Sequence, residues 1–198
     1  MRVYLSGGME YAANEGRSWR EDLEAWLNRE MGWETFNPNR ESDRFLAART
    51  PDTPFRSLKD TDPERFLGIV ADIVDIDCRE VAERADCVVC FWDEGAMRGA
   101  GTKGELTIAR YFRKPVYLVT TVPFAEIPGW VLGCTTKMFR TFDDVKAFLK
   151  DSPAADTRVR PPQCIRTFPL TTKKVSCLRQ CRCSGQVWPS NTNRYLPQ

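Results

Sequence analysis

A single run of six residues limits most strongly what this chain can become. Cys87-Val88-Val89-Cys90-Phe91-Trp92 contains no polar side chain. A strand apolar on both sides must be covered on both sides, as in a parallel sheet with helices above and below it. The next stretch of chain has the matching form: a loop from Asp93 to Arg98, a glycine-rich turn at Gly99-Ala100-Gly101, and a segment of helical spacing that ends at Arg113-Lys114-Pro115. The order strand, glycine turn, helix puts that turn at the carboxyl end of a buried strand.

The same alternation runs along the chain. Residues 2–5 form a short strand that stops at Ser6-Gly7-Gly8, residues that tolerate unusual dihedrals and leave their amides open. From about Glu15, the spacing of Trp19, Leu23, Trp26 and Leu27 predicts an amphipathic helix, ended by Gly32 before a strand at 33–36 and Asn37-Pro38. Residues 39–63, charged and carrying Pro51, Pro54 and Pro63, read as a long connection, either a lid or a surface insertion. Phe66, Ile69, Val70 and Ile73 predict a helix continuing to Val81 and Ala85. Strands at 116–119 and 137–139 come next, and Thr141 caps a last helix with Val145, Phe148 and Leu149 on its apolar face. The expected fold class is α/β: a doubly wound, flavodoxin-like five-stranded parallel sheet in the order 2-1-3-4-5, with helices on both faces.

Residues 1–150 make up this expected α/β domain. Residues 151–198 read as a basic, Cys- and Pro-containing C-terminal extension that is expected to be poorly ordered. Of the 29 Lys and Arg and 27 Asp and Glu, 21 and 25 lie in residues 1–150, so an acidic body precedes a basic tail. Basic residues without interleaved aromatic stacking make nucleic acid an unexpected partner. Cys164, Cys177, Cys181 and Cys183 lack the spacing of paired zinc knuckles, and no metal is expected. The absence of an uninterrupted apolar span leads to an expectation of a cytoplasmic protein with no membrane partner. The 198 residues contain no histidine, which removes Ser-His and Cys-His nucleophile pairs and imidazole acid–base chemistry. Proton transfer falls to carboxylates, tyrosine, lysine or water.

In a 2-1-3-4-5 sheet the ligand crevice lies between the first and third strands. Two glycine turns remote in sequence would then face each other: Ser6-Gly7-Gly8-Met9, and the loop from Asp93 to Gly99, Gly101 and Thr102. Glu105 stands three residues after Thr102, the spacing of a capping box. The same placement suits a carboxylate nucleophile beside an open turn, and both readings stand on the residues alone. Arg17 and Arg20 lie off the apolar stripe of the first helix; they read as a solvated face, with contact to a ligand phosphate as the alternative. Asp77 falls late in a helix, where the helix dipole disfavours a carboxylate.

Taken in order, Val3-Tyr4-Leu5-Ser6-Gly7-Gly8-Met9, an Asp-bearing helix before Ala85-Asp86-Cys87-Val88-Val89, and Gly101-Thr102-Lys103-Gly104-Glu105-Leu106-Thr107-Ile108-Ala109 followed by Lys114-Pro115-Val116 resemble the nucleoside 2-deoxyribosyltransferase family. The resemblance covers residues 1–149. It implies that Glu105 attacks C1′ of a 2-deoxyribonucleoside to form a covalent glycosyl-enzyme, that Tyr4 orients this nucleophile, and that Asp77 protonates the departing base. Ser6, Gly7, Gly8, Met9, Arg17, Asp93, Gly99, Gly101 and Thr102 would contact substrate. Two spacings depart from the family pattern: Asp77 is nine residues before Asp86 rather than eight, and Gly99 stands where many transferases have an acidic residue.

The implied partners are a small-molecule nucleoside or nucleotide and a free base. No cofactor is expected, and assembly into a homo-oligomer would bring Trp130 or Glu126 to a neighbouring site. Related enzymes hydrolyse nucleoside 5′-monophosphates, an alternative that Ser6 and Arg17 keep open. A non-catalytic nucleotide sensor is the alternative of another class.

Overall fold

Strand formation tracks the sequence closely, because β-branched or aromatic residues occur in each of the five strands. The computed structural model describes residues 1–151. Along the chain β1 (Arg2–Gly7) leads to α1 (Arg17–Trp26), β2 (Glu34–Phe36), α2 (Pro38–Arg49), the single turn α3 (Leu58–Thr61) and the long α4 (Pro63–Arg79). Then come β3 (Cys87–Phe91), the short α5 (Glu94–Arg98), α6 (Gly101–Tyr111), β4 (Val116–Val119), α7 (Gly129–Cys134), β5 (Lys137–Phe139) and α8 (Phe142–Asp151). All strand pairs are parallel and their order is β2-β1-β3-β4-β5, the doubly wound, flavodoxin-like arrangement. The tail beyond Asp151, with its expected disorder and its four cysteines, lies outside the described residues.

Side-chain alternation divides the interior into two cores. Val3, Leu5, Cys87, Val89, Tyr117 and Val119 face α1 and α8 through Leu23, Leu27, Val145 and Leu149. Tyr4, Val88, Cys90, Val116 and Leu118 face the other way, toward Val81, Leu106, Ala109 and Val131. Successive strand residues point to opposite faces, so Ser6 shares the face of Tyr4. Both therefore lie under α4 and α6, the helices that carry Asp77 and Glu105.

Three local features differ from the sequence reading. The expected long connection is helical over Pro38–Arg49, with Asn37 accepting from the Asn39 amide and Pro38 in the first turn. Its polar composition, with Phe45 and Leu46 as its adjacent large apolar residues, hides the helical period. Helix α1 begins at Arg17 because Asn14, Glu15 and Gly16 all have positive φ. Finally, α6 starts at Gly101 with Ala100 as N-cap and no capping side chain. The reading of Thr102 and Glu105 as a capping box is not realised, and Glu105 stands in the second turn. Thr141 does cap α8, in a reciprocal exchange with Asp144.

Candidate active site

The carboxyl ends of β1 and β3 finish side by side, with Ser6 in register with Cys90 and Gly7 with Phe91. Their glycine turns pack closely: a Cβ on Gly8 would lie 2.7 Å from the Ala96 nitrogen and from the Gly95 carbonyl carbon. On Gly7 it would lie 2.9 Å from the Trp19 ring. Only glycine permits this approach. Asp93 accepts from the Ala96 amide at 2.8 Å and caps α5, fixing the second turn against the first. Thr102 is buried, whereas Gly101 is exposed, with its Cβ position 4.0 Å from Glu105 Oε1. Gly99 and Met9 are half-buried at the same end of the sheet.

Glu105 points into this crevice and accepts a hydrogen bond from Ser6 Oγ at 2.5 Å. It keeps a partly exposed surface while protein atoms crowd its carboxyl. That crowding pushes its pKa up, against the opposing effects of the Ser6 hydroxyl, the Arg20 charge and Tyr4. Asp77 approaches from α4. Burial, reinforced by the Glu105 charge, pushes it up to about 7. Between them lies Tyr4, wholly buried and stacked on Phe36 at 5.2 Å. The Tyr4 hydroxyl has no hydrogen bond of ordinary geometry, yet it perturbs and is perturbed by both carboxylates, and burial holds it neutral. Glu105 is thus held by Ser6, while the resemblance points to Tyr4 for that role.

The nine-residue spacing from Asp77 to Asp86 has a structural counterpart. After Arg79 the helix widens into a π turn, Glu80–Arg84, in which the Ala85 amide donates to the Glu80 carbonyl at 2.9 Å. A π turn holds one more residue than an α turn, so it absorbs the extra position before β3. Asp77 also lines a cavity of about 300 Å³ with Glu41, Ser42, Arg44, Phe45, Ile73 and Ile76. This cavity shares Glu41, Arg44 and Ile76 with a larger polar one of about 530 Å³ reaching Arg2 and Arg84.

The two arginines of α1 behave differently from the sequence reading. Arg17 is bound by both oxygens of Asp43, at 2.6 and 2.9 Å, and by Glu15 at 3.0 Å. Arg20 is not on a solvated face but fully buried beneath the first glycine turn. Its partners are backbone carbonyls of β1 and of the loop before α1, with Asn39 Oδ1, and residue spacing does not reveal them. The cluster of glycines that a buried guanidinium crowds, Gly7 and Gly16, was the available signal. Trp130 is 69% exposed and its indole donates to Thr107 Oγ1 at 2.8 Å; Glu126 is exposed. Neither forms a side-chain hydrogen bond with the crevice residues described for its own chain.

Among the described residues, no group of three Cys, Asp or Glu side chains converges as a metal site, and no helix is long and apolar enough to cross a membrane. No protein-family model matches the chain, and no curated protein matches it. Solved structures do. A 2-deoxyribosyltransferase from Bacillus psychrosaccharolyticus superposes with a TM-score of 0.51 at 16% identity, over 80% of this chain and 97% of that one. A CMP N-glycosidase from Clostridium botulinum gives 0.42 at 17% identity, over 76% and 99%. At 16% identity the first of these likenesses establishes a shared fold.

Proposed function

We propose that this protein cleaves the N-glycosidic bond of 2-deoxyribonucleosides through a glycosyl ester on Glu105 and transfers the sugar to a second base. The observation that carries the reading is the pair of carboxyl groups with unequal surroundings at one crevice. Two such groups cannot both ionise cheaply in a shared low-dielectric site. Both feel the Arg20 charge, but Glu105 alone of the two accepts the Ser6 hydroxyl, and is the better-supported anion. Asp77, pushed up to about 7, keeps the proton. This is the division of labour that a retaining glycoside cleavage needs.

In that scheme a Glu105 oxygen bonds to C1′ as the C1′–N bond breaks, and the departing base takes the Asp77 proton. The incoming base then attacks C1′ from the opposite side of the ester, returns a proton to Asp77 and frees Glu105. Two inversions retain the configuration. The cavity beside Asp77, with Phe45, Ile73 and Ile76 in its wall, offers an apolar seat for a heteroaromatic base. The fold shared with a 2-deoxyribosyltransferase and the sequence resemblance support the choice of sugar. The commitment of Arg17 to Asp43 and Glu15 favours a nucleoside over its 5′-monophosphate.

Incubation with deoxynucleosides, with and without a free base, tests the reading by chromatography of the products. The expected result is base exchange, reduced at least about a thousandfold in Glu105→Gln. Unchanged exchange in that variant overturns the mechanism. Free sugar without exchange marks a hydrolase, turnover of monophosphates alone restores the nucleotide alternative, and binding without turnover marks a sensor.

A further inference from the structure

Arg20 has surroundings that the two-carboxylate scheme leaves unexplained. It is 0% exposed, and its guanidinium is solvated entirely by neutral oxygens. Nε donates to the Leu5 carbonyl at 3.0 Å and Nη2 to that of Gly7 at 2.8 Å. Nη1 faces the carbonyls of Glu15, Gly16 and Gly8 at 3.0, 3.1 and 3.4 Å and Asn39 Oδ1 at 3.0 Å. The Trp19 ring covers the guanidinium at 4.6 Å. Among the described residues no carboxylate forms an ion pair with it. A buried cation ordinarily acquires a contacting counter-ion, since desolvation is otherwise expensive. Here the loop itself wraps the cation: Gly16, at φ +67°, would place a Cβ 2.7 Å from Nη1, and Gly7 one 3.3 Å from Nη2.

We propose that Arg20 is the positioning residue of this site. Without touching substrate, it fixes the end of β1, and with it the Ser6 hydroxyl that holds Glu105. It also supplies the permanent positive charge that Glu105 answers across the crevice. The inference rests on the proposed function for what Glu105 does, but the link between Arg20 and Glu105 stands apart from it. Arg20 stays protonated at any working pH, so its field is constant. The other groups facing Glu105 are Tyr4 and Ser6 from β1, Cys90 from β3, and Asp77 and Cys78 from α4, while Asp93 stands beside Arg20 and Cys90, and Glu80 behind Asp77. None of these is a cation: Asp77, Asp93 and Glu80 are carboxyl groups, and Tyr4, Ser6, Cys78 and Cys90 are neutral at working pH. Arg20 is the cation of the set.

The test compares wild type, Arg20→Lys and Arg20→Gln, each checked for folding by thermal unfolding. The readouts are the pH dependence of kcat and the carboxyl ¹³C titration of Glu105, assigned by the signal that Glu105→Gln removes. In Arg20→Gln the acid limb of kcat and the Glu105 midpoint should both move up by about one pH unit, a roughly tenfold loss of rate at a fixed acidic pH. Arg20→Lys should restore the pH position but not kcat, because one ammonium cannot span the six acceptors. A folded Arg20→Gln whose Glu105 titrates as in wild type overturns the proposal. So does a folded Arg20→Lys with wild-type kcat, or a wild-type Glu105 still protonated at neutral pH; these two decide the matter should Arg20→Gln not fold. The titration needs no substrate. Failure of the proposed function would appear instead as wild-type protein that turns over no nucleoside while the Glu105 titration still responds to Arg20.

Discussion

At the scale of single residues, Asp77 carries the most directly measurable consequence. Its pKa rises from an ordinary 3.8 to about 7, because burial and the Glu105 charge penalise its anion. A carboxyl raised on folding binds its proton more tightly in the folded state. It therefore contributes stability that is complete below about pH 4, declines as pH rises and is gone above the folded value near 7. Asp77→Asn keeps the shape and removes the charge. Its unfolding free energy, relative to wild type, should be unchanged near pH 4 and higher at pH 8 by about 1–3 kcal/mol. Its kcat should fall by roughly 10²–10⁴-fold, as loss of a general acid does. A difference in stability between the two proteins that is the same at both pH values would remove the buried charge as its cause.

At the scale of elements, the site exists because two turns touch. Gly8 meets the backbone of Gly95 and Ala96, and that contact holds α5, and through it the entry to α6, against the end of β1. Gly8→Ala should cost about 1–3 kcal/mol by forcing the backbone apart, and should lower exchange activity more than Gly104→Ala, whose Cβ would meet nothing within 4 Å. Equal loss in both variants, measured by urea unfolding and initial rates, would show that the contact does not hold the site. This part of the molecule was legible in the sequence, since unbroken apolar strands and the glycine turns behind them are local signals. Helix α2 was not, because its residues are polar enough to blur the helical period. Nor was the second-turn position of Glu105, which results from α6 starting at Gly101 without a capping side chain. Arg20 was the hardest to see: its acceptors are carbonyls 4 to 15 residues away and one asparagine 19 away, and an arginine beside an apolar stripe looks the same whether it turns outward or in.

At the scale of the whole molecule, the described residues cover the sheet on both faces. Leu23, Leu27, Val145 and Leu149 cover one core, and Val81, Leu106, Ala109 and Val131 the other, all but buried completely. The last helix, α8, completes its face with Val145 and Leu149, and its cap at Thr141 is made within the same segment. Hydrophobic burial is the main driving term in folding, and among the described residues those that supply it in the two cores end at Leu149. We therefore expect a chain ending at Asp151 to unfold in one cooperative transition within about 3 °C of the full-length protein, since 1 kcal/mol shifts a domain of this size by roughly that amount. It should also retain the Glu105-dependent exchange, because each group assigned to the chemistry lies between Tyr4 and Glu105. The truncation removes 8 of the 29 basic residues, so its net charge becomes negative and rates with an anionic substrate should fall more at low than at high salt. A lowered midpoint in calorimetry, or loss of exchange with a neutral nucleoside at every salt concentration, would overturn that expectation.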